Sequence, residues 1–173
     1  ALETLPESIC VIGGGAIGVE FATLFGICGV QVTLVELLPR LLPLLDADLG
    51  AEVERGLNKA GVRVHTASKV SRVERRDGKY VVLVESESEE TRLDADKILV
   101  AVGRRPNVEN LGLDSFGVVA EKTGIVVDEH LRTSASNVYA AGDVTGGILL
   151  AHVASKEGIV AVENALGHAC VVN

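Results

Sequence analysis

The sequence predicts an α/β fold in which a parallel sheet carries a three-stranded antiparallel β-meander in place of one crossover helix. Strand-like and helix-like segments alternate in the order β-α-β-α-β at the start of the chain. Three strand-like runs then follow with no helix between them. Only 3% of the 173 residues are aromatic and 47% are hydrophobic, so Val, Leu, Ile and Ala must build a core typical of strands buried on both faces.

The alternating elements lie in the first part of the chain. Residues 8–14 form an apolar run that ends in glycines and predict a buried strand. The segment "AIGVEFATLFGICG" predicts a helix with one shared apolar face, made of Ile17, Phe21, Leu24 and Phe25. Residues 30–36 predict a second strand, residues 46–60 a second helix ended by Gly61, and residues 62–66 a third strand.

The meander follows these elements. Asp77-Gly78 predicts a hairpin between its first two strands, and the polar residues 85–90 predict an exposed loop. The apolar segment "KILVAVG" is expected to return to the parallel sheet. Beyond Gly103 we expect a loop region, short strands around Val118, 125–127 and 138–140, and a helix over 150–166 ended by Gly167.

Bulk properties exclude several function classes. A net charge of −8 with few aromatic residues argues against nucleic acid and anionic membrane surfaces as partners. No apolar run approaches the roughly 20 residues of a membrane span. The first residues, "ALETLPES", do not resemble a signal peptide and lack an initial Met, so we expect a cytoplasmic protein and a trimmed chain.

Cysteine and histidine are sparse. Cys10, Cys28 and Cys170 are widely spaced, which argues against a disulfide scaffold or a metal site and predicts three buried thiols in a reducing compartment. Three histidines are isolated in sequence and are expected to be solvated, namely His65, His130 and His168.

A glycine pattern stands between the first strand and the first helix. It reads Gly13-x-Gly15-x-x-Gly18, a spacing that is weak alone but is typical of dinucleotide binding in this context. Gly13 permits the tight turn, Gly15 lets the backbone approach a pyrophosphate, and Gly18 lets helix and strand pack closely. The helix amino terminus then offers free N–H groups and a positive dipole end to phosphates.

Acidic residues near this pattern bear on the choice of dinucleotide. Glu36 ends the second strand, where a carboxylate can accept both adenine-ribose hydroxyls and repel a 2′-phosphate, which favours NAD over NADP. Arg40 could instead serve a 2′-phosphate, but it lies four residues further on, after a proline. Glu20 has two equal interpretations, a favourable charge near a helix start or a hydrogen bond to the nicotinamide end.

A second motif lies near the end of the chain. The segment "TSASNVYAAGDV" resembles the second flavin-binding motif of two-dinucleotide flavoproteins, and "LLAHVASKEG" follows at that family's spacing. Together with "GGGAIGVEFA" and "AVGRRPN", these ordered motifs resemble the class I pyridine nucleotide–disulfide oxidoreductases over nearly the whole chain. Within that family the motifs are most similar to those of dihydrolipoamide dehydrogenases. The resemblance implies an FAD/NAD(P)-binding fold.

The resemblance also implies domains and cofactor contacts. Residues 1–103 would be an NAD-binding domain, and residues 104–173 the returning segment of an incomplete FAD-binding domain. The implied contacts of NAD are Gly13, Gly14, Gly15, Ala16, Ile17, Gly18, Val19, Glu20, Glu36, Val70 and Gly103. The implied contacts of FAD are Asp143, Leu149, Leu150, Ala151 and His152.

Parts of the family's machinery are missing from this sequence. It has no amino-terminal FAD fingerprint, no redox-active Cys-x4-Cys and no interface domain with a catalytic His and Glu. The resemblance therefore implies a fragment, inactive alone and without catalytic residues, of a homodimeric enzyme that transfers electrons between dihydrolipoamide and NAD through FAD and a disulfide. The alternatives are a fragment of a sister flavoprotein reductase (mercuric reductase, glutathione reductase or NADH oxidase) and a stand-alone NAD-binding module.

Overall fold

The computed structural model describes residues 2–87 and 89–172, and the chain divides into two compact units, Ala1–Gly103 and Arg104–Asn173. The elements of the first unit are β1 (Ser8–Ile12), α1 (Ala16–Ile27), β2 (Gln31–Val35), α2 (Ala47–Lys59), β3 (Arg63–His65), β4 (Lys69–Arg76), β5 (Lys79–Glu85), β6 (Glu90–Ala95) and β7 (Lys97–Val100). The elements of the second unit are a 3₁₀ helix (Leu113–Phe116), β8 (Ala120–Glu121), β9 (Gly124–Ile125), a second 3₁₀ helix (Gly142–Thr145) and α3 (Ala151–Ala165).

The first unit is built in three layers around a parallel sheet of order β3-β2-β1-β7. Ile9 and Val11 of β1 pack with α1 and α2 on one face, whereas Cys10 between them packs with the meander on the other. This alternation buries the central strand on both sides, as its apolar sequence predicts. The predicted α/β fold with a meander crossover is therefore confirmed.

The meander also follows its prediction. Strands β4, β5 and β6 form an antiparallel sheet, and β7 then pairs parallel to β1. Asp77 and Gly78 both have positive φ, as a two-residue hairpin turn requires. The predicted loop over 85–90 is shorter, because Glu85 still belongs to β5 and Glu90 already belongs to β6. Ser88 of that loop lies outside the described residues.

Helix α1 corrects the expectation drawn from its apolar spacing. Its buried residues are Gly18, Ala22 and Phe25, whereas Ile17, Phe21 and Leu24 of the predicted face are exposed. Small residues on the buried side let the helix axis approach the sheet closely, so the bulky residues lie to the side. Periodicity therefore located an apolar stripe on α1, but most of that stripe does not face the core.

The second unit has less regular structure than predicted. The strands expected around Val118, 125–127 and 138–140 reduce to the two-residue pair β8–β9 and one isolated bridge between Arg132 and Tyr139. The two 3₁₀ helices were not predicted. Helix α3 matches the predicted 150–166, and Gly167 after it has the expected positive φ.

Residues 167–172 are tied to the rest of the second unit by a buried amide. The Asn164 side chain donates to the Cys170 carbonyl at 2.7 Å and accepts from the Cys170 N–H at 3.2 Å. The His130 ring lies 2.7 Å from the same carbonyl through Nδ1, and the Val172 N–H donates to the Glu129 carbonyl at 3.1 Å. This cluster fixes both the position of the tail and the tautomer of His130.

The expectations about Cys and His are confirmed only in part. Cys10 is buried, which raises the pKa of its thiol to about 11, but Cys28 is exposed and Cys170 only half-buried. His65 and His130 are half-buried, the latter against Cys170, so neither is solvated as expected, whereas His168 is exposed as expected and pairs with Glu163 at 2.6 Å. None of the helices within residues 2–87 and 89–172 is long and apolar enough to cross a membrane.

Candidate functional site

The glycine-rich loop joins the carboxyl end of β1 to the amino end of α1. Gly13 has a φ of +110°, and a Cβ there would collide with the Ala101 carbonyl. A Cβ on Gly18 would collide with the Gly13 carbonyl oxygen, so helix and strand meet more closely than any side chain allows. Both glycines have the geometric roles expected from the sequence.

Gly15 differs from its neighbours. It has an extended conformation at the N-cap of α1, and a Cβ there would meet no atom of the described residues within 4 Å, its two chain neighbours aside. Among the described residues, no side chain caps this end of the helix. The first N–H groups of α1 are therefore free to bind an anion in open space.

Glu36 lies directly beneath this loop. Its side chain is only 8% exposed, and Oε2 accepts the Gly14 N–H at 2.5 Å while Oε1 accepts the Leu38 N–H at 2.7 Å. Each oxygen of a carboxylate has a second lone pair, so both can still accept a hydroxyl hydrogen bond. Arg40 donates one guanidinium N–H to the Pro43 carbonyl at 3.0 Å, within its own loop.

The other predicted NAD contacts of the first unit have varied positions. Val70 is half-buried near the start of β4, beside an irregularity in the β4–β5 register, and Gly103 is exposed with a φ of +111°. Glu20 is exposed in the second turn of α1, one turn beyond the position where a charge interacts best with the helix dipole. The described residues 2–87 and 89–172 include no cluster of three or more His, Cys, Asp or Glu able to hold a metal ion.

The predicted FAD contacts lie together in two neighbouring elements of the second unit. Asp143 belongs to the second 3₁₀ helix and forms an ion pair with Arg104 at 3.1 Å. Leu149 and Leu150 precede α3, and Ala151 and His152 are exposed in its first turn. Leu150 is the N-cap, and none of the described side chains caps this helix end.

Glu157 is a residue of this region that the sequence analysis missed. It is 8% exposed, and its Oε2 accepts the Gly142 N–H at 2.6 Å, so it joins α3 to the turn that carries Asp143. The residue lies within the segment "LLAHVASKEG", but nothing in the sequence links it to a glycine 15 residues earlier. A charged residue two turns inside a helix ordinarily predicts a solvated face.

Comparison with known proteins agrees with these motifs. The model of the pyridine nucleotide-disulphide oxidoreductase family matches residues 1–158. Dihydrolipoyl dehydrogenase of Mycobacterium tuberculosis (strain H37Rv) is 44% identical over 164 residues, and that of Chlamydia pneumoniae is 40% identical over 168. These alignments cover 94% and 96% of this chain but 35% and 36% of the relatives, so the chain spans about a third of their length.

Solved structures give the same result. LpdA from Mycobacterium tuberculosis superposes with a TM-score of 0.89 at 32% identity, covering 99% of this chain and 37% of that one. The HOCl-induced flavoprotein disulfide reductase RclA from Escherichia coli gives a TM-score of 0.87 at 32% identity, covering 97% and 38%. With the family model matching nearly the whole chain, the resemblance seen in the sequence is confirmed, and this chain belongs to the pyridine nucleotide-disulphide oxidoreductase family.

Proposed function

We propose that this chain is the NAD(H)-binding part of an FAD-dependent dihydrolipoamide dehydrogenase. Residues 1–103 bind NAD, and residues 104–173 supply part of an FAD site. The same proposal includes that the protein is cytoplasmic and that the whole enzyme is a homodimer. Its similarity to dihydrolipoyl dehydrogenases over 94–96% of the chain supports this assignment.

The single observation that carries the proposal is the open space at Gly15. Packing within the chain explains the glycines at 13 and 18, but no neighbouring atom explains the glycine at 15. A ligand that must approach the backbone does explain it, because a methyl group there would stand between a diphosphate and the helix N–H groups. The residues present therefore fit a dinucleotide.

Glu36 supplies the preference between dinucleotides. Its carboxylate is held by two backbone N–H groups before any ligand arrives, so it needs no reorganisation to accept ribose hydroxyls. The same buried negative charge repels a 2′-phosphate, whereas Arg40 directs one N–H to the Pro43 carbonyl of its own loop. NAD(H) is therefore the expected ligand, and NADP(H) is disfavoured.

In the second unit, Asp143 and the first turn of α3 fit one side of a flavin cofactor. The uncapped N–H groups of α3 stabilise a negative or carbonyl oxygen, and a carboxylate can accept hydroxyl hydrogen bonds from a sugar-like chain. FAD, when bound, supplies the two-electron chemistry, whereas the residues of this chain bind and orient the two cofactors. The chain alone is expected to retain little FAD and to have no lipoamide reductase activity.

A sister reductase is the second candidate. RclA, a flavoprotein disulfide reductase, superposes nearly as well as LpdA does. Enzymes of this kind differ mainly in segments that this chain does not contain. A stand-alone NAD-binding module explains the glycine loop and Glu36 but gives no role to the second motif.

The test measures NADH and NADPH affinity by calorimetry with the chain and its Gly15→Ala variant. Gly15→Ala is expected to leave the free energy of unfolding within about 1 kcal/mol while weakening NADH binding at least about tenfold. Gly56→Ala is the matched control, because Gly56 also faces open space but lies on α2, away from the loop. Unchanged NADH affinity in Gly15→Ala would contradict the proposed site.

Glu36→Gln tests the choice of dinucleotide. Removing the charge but not the shape is expected to reduce the preference for NADH over NADPH by about tenfold, and Glu36→Ala to reduce it further. Glu52→Gln, an equal change of charge on the exposed face of α2, is the control. Equal affinity of the unmodified chain for NADH and NADPH would overturn the NAD assignment.

A further inference from the structure

The loop of residues 37–45, the leucine loop, lies against the glycine-rich loop and contacts it through its backbone. The Leu42 N–H donates to the Gly14 carbonyl oxygen at 2.9 Å. The Gly14 N–H is occupied on its other side by Glu36 at 2.5 Å. Both peptide groups that flank Gly14 are therefore fixed by hydrogen bonds from outside the glycine-rich loop.

This arrangement has a directional consequence for Gly15. The described chain contains no cis peptide bond, and in a planar trans peptide the C=O and the following N–H point in opposite directions. Because the Gly14 carbonyl points toward Leu42, the Gly15 N–H points away from the leucine loop. A Cβ on Gly15 would meet no described atom within 4 Å apart from its chain neighbours, so there is room beside this residue for the proposed diphosphate.

Packing keeps the leucine loop in place. Leu41 is fully buried, and a Cβ on Gly14 would lie 2.6 Å from its Cδ2. The backbone of Leu41 is equally close to α2, since a Cβ on Gly50 would lie 2.6 Å from the Leu41 carbonyl oxygen. The loop therefore has little room to move toward or away from Gly14.

Leu42 has a backbone conformation that leucine disfavours. Its φ is +48°, in the left-handed region that non-glycine residues seldom adopt. Such a residue persists only where its surroundings determine it, and outliers of this kind concentrate at functional sites. Here the conformation places the Leu42 N–H on the Gly14 carbonyl.

We propose that Leu42 is a positioning residue for the dinucleotide diphosphate. Its N–H holds the Gly14 carbonyl and thereby aims the Gly15 N–H at the ligand, and Leu41 anchors the loop that presents it. This inference rests on the proposed function. The added point is that a residue 28 positions further along the chain orients the glycine-rich loop. It does so through its backbone N–H and not through a side chain that touches the ligand.

A pair of substitutions at Leu42 separates this role from simple packing. Glycine adopts positive φ freely and keeps the N–H, so Leu42→Gly is expected to keep NADH affinity within about twofold. Valine retains more of the side chain but disfavours positive φ, so Leu42→Val is expected to weaken NADH binding about tenfold. A packing role alone predicts the opposite order, because Gly removes more buried surface. NADH affinity that falls more in Leu42→Gly than in Leu42→Val would overturn the inference.

A second pair tests the anchor. Leu41→Ala and Leu57→Ala both truncate a buried leucine of the same core cluster and are each expected to lower Tm by roughly 10 °C. Measured well below both Tm values, only Leu41→Ala is expected to weaken NADH binding, by about tenfold. Equal NADH affinity in the two variants would overturn the anchor role. If the unmodified chain bound no NADH, the proposed function would fail and the inference with it, whereas unchanged affinity in Leu42→Val would remove the inference alone.

Discussion

Both compact units use a buried glutamate to hold a glycine N–H, but they support the loop in different ways. In the first unit Glu36 accepts the Gly14 N–H at 2.5 Å, and in the second Glu157 accepts the Gly142 N–H at 2.6 Å. Each glutamate is 8% exposed. In the first unit the loop also extends from the central strand of a parallel sheet, and Glu36 caps a second amide, that of Leu38.

The second unit relies on side chains where the first unit has strand ladders. Asp128 accepts the N–H groups of His130 and Arg132 at 2.9 and 2.8 Å, and the Ser134 hydroxyl both accepts from Val119 and donates to Gly117. Backbone groups without ladder partners need such acceptors. The difference teaches that sheet geometry fixes the first loop, whereas individual polar side chains fix the second.

The largest expected effect comes from glycines that leave no room for a methyl group. Gly18→Ala places a Cβ on the Gly13 carbonyl, and Gly146→Ala places one on the Thr123 carbonyl at a positive φ. Each change is expected to cost about 3 kcal/mol of unfolding free energy, because only backbone could move away. Urea denaturation measures the loss, and hydrogen exchange shows which unit loosens. A cost below about 1 kcal/mol in either variant would contradict the packing described for that unit.

Substitution of each glutamate compares the support of the two loops directly. Glu36→Ala leaves the buried Gly14 N–H and the partly buried Leu38 N–H without this acceptor and is expected to cost about 3 kcal/mol. Glu157→Ala leaves one partly buried N–H, that of Gly142, and is expected to cost about 1–2 kcal/mol. Glu163→Ala, on the same helix as Glu157 but paired with His168, is the control. Equal costs for Glu36→Ala and Glu157→Ala would show that the hydrogen bond from the Leu38 N–H to Glu36 adds nothing to stability.

Asn164 tests the reliance of the second unit on side chains. Asn164→Ala removes the amide that bonds Cys170 on both its N–H and its carbonyl, and is expected to cost about 1–2 kcal/mol. Amide hydrogen exchange should rise over residues 168–172, while residues 2–87 keep their protection. Unchanged exchange in the tail would mean that the contact between Val172 and Glu129 is sufficient to hold it.

The smallest expected effect is a dependence on pH. The Ser8 hydroxyl holds the pKa of Asp96 below its ordinary value of 3.8, and the Arg132 N–H does the same for the pKa of Asp128. A lowered pKa in the folded state means that the stabilisation is complete above pH 3.8 and is lost as the pH falls through the folded value. Asp96→Asn and Asp128→Asn should each flatten the loss of stability on acidification. Denaturation at several pH values checks this, and an unchanged acid slope in both variants would contradict it.

Sequence patterns located the helices and the strands of the first unit well, but not the short elements of the second unit. Gly61 and Gly167 marked the ends of α2 and α3, and Asp77-Gly78 marked the hairpin, because the special backbone at these points depends on neighbouring residues alone. The face that α1 turns toward the sheet was harder to predict. Its apolar spacing could not show that Gly18 and Ala22 would face the sheet in place of Ile17 and Phe21.

The candidate site likewise has a part that the sequence predicted and a part that it did not. The roles of Gly13 and Gly18 followed from local spacing, since strand and helix adjoin in sequence. Glu157 and Leu42 could not be found, because each bonds a glycine 15 or 28 residues away through geometry that no periodic pattern encodes. Pairing across irregular backbone depends on tertiary structure, and a single sequence carries little signal for it.

The position of Glu36 limits how the proposed preference for NAD(H) could be redesigned. A substitute for Glu36 that permits a 2′-phosphate to bind must also accept hydrogen bonds from the N–H groups of Gly14 and Leu38. Small or basic substitutes at residue 36 would therefore leave these two N–H groups without the acceptor they have now. A successful switch to NADP(H) would retain a neutral acceptor there and introduce the cation elsewhere, for example by freeing Arg40 from the Pro43 carbonyl.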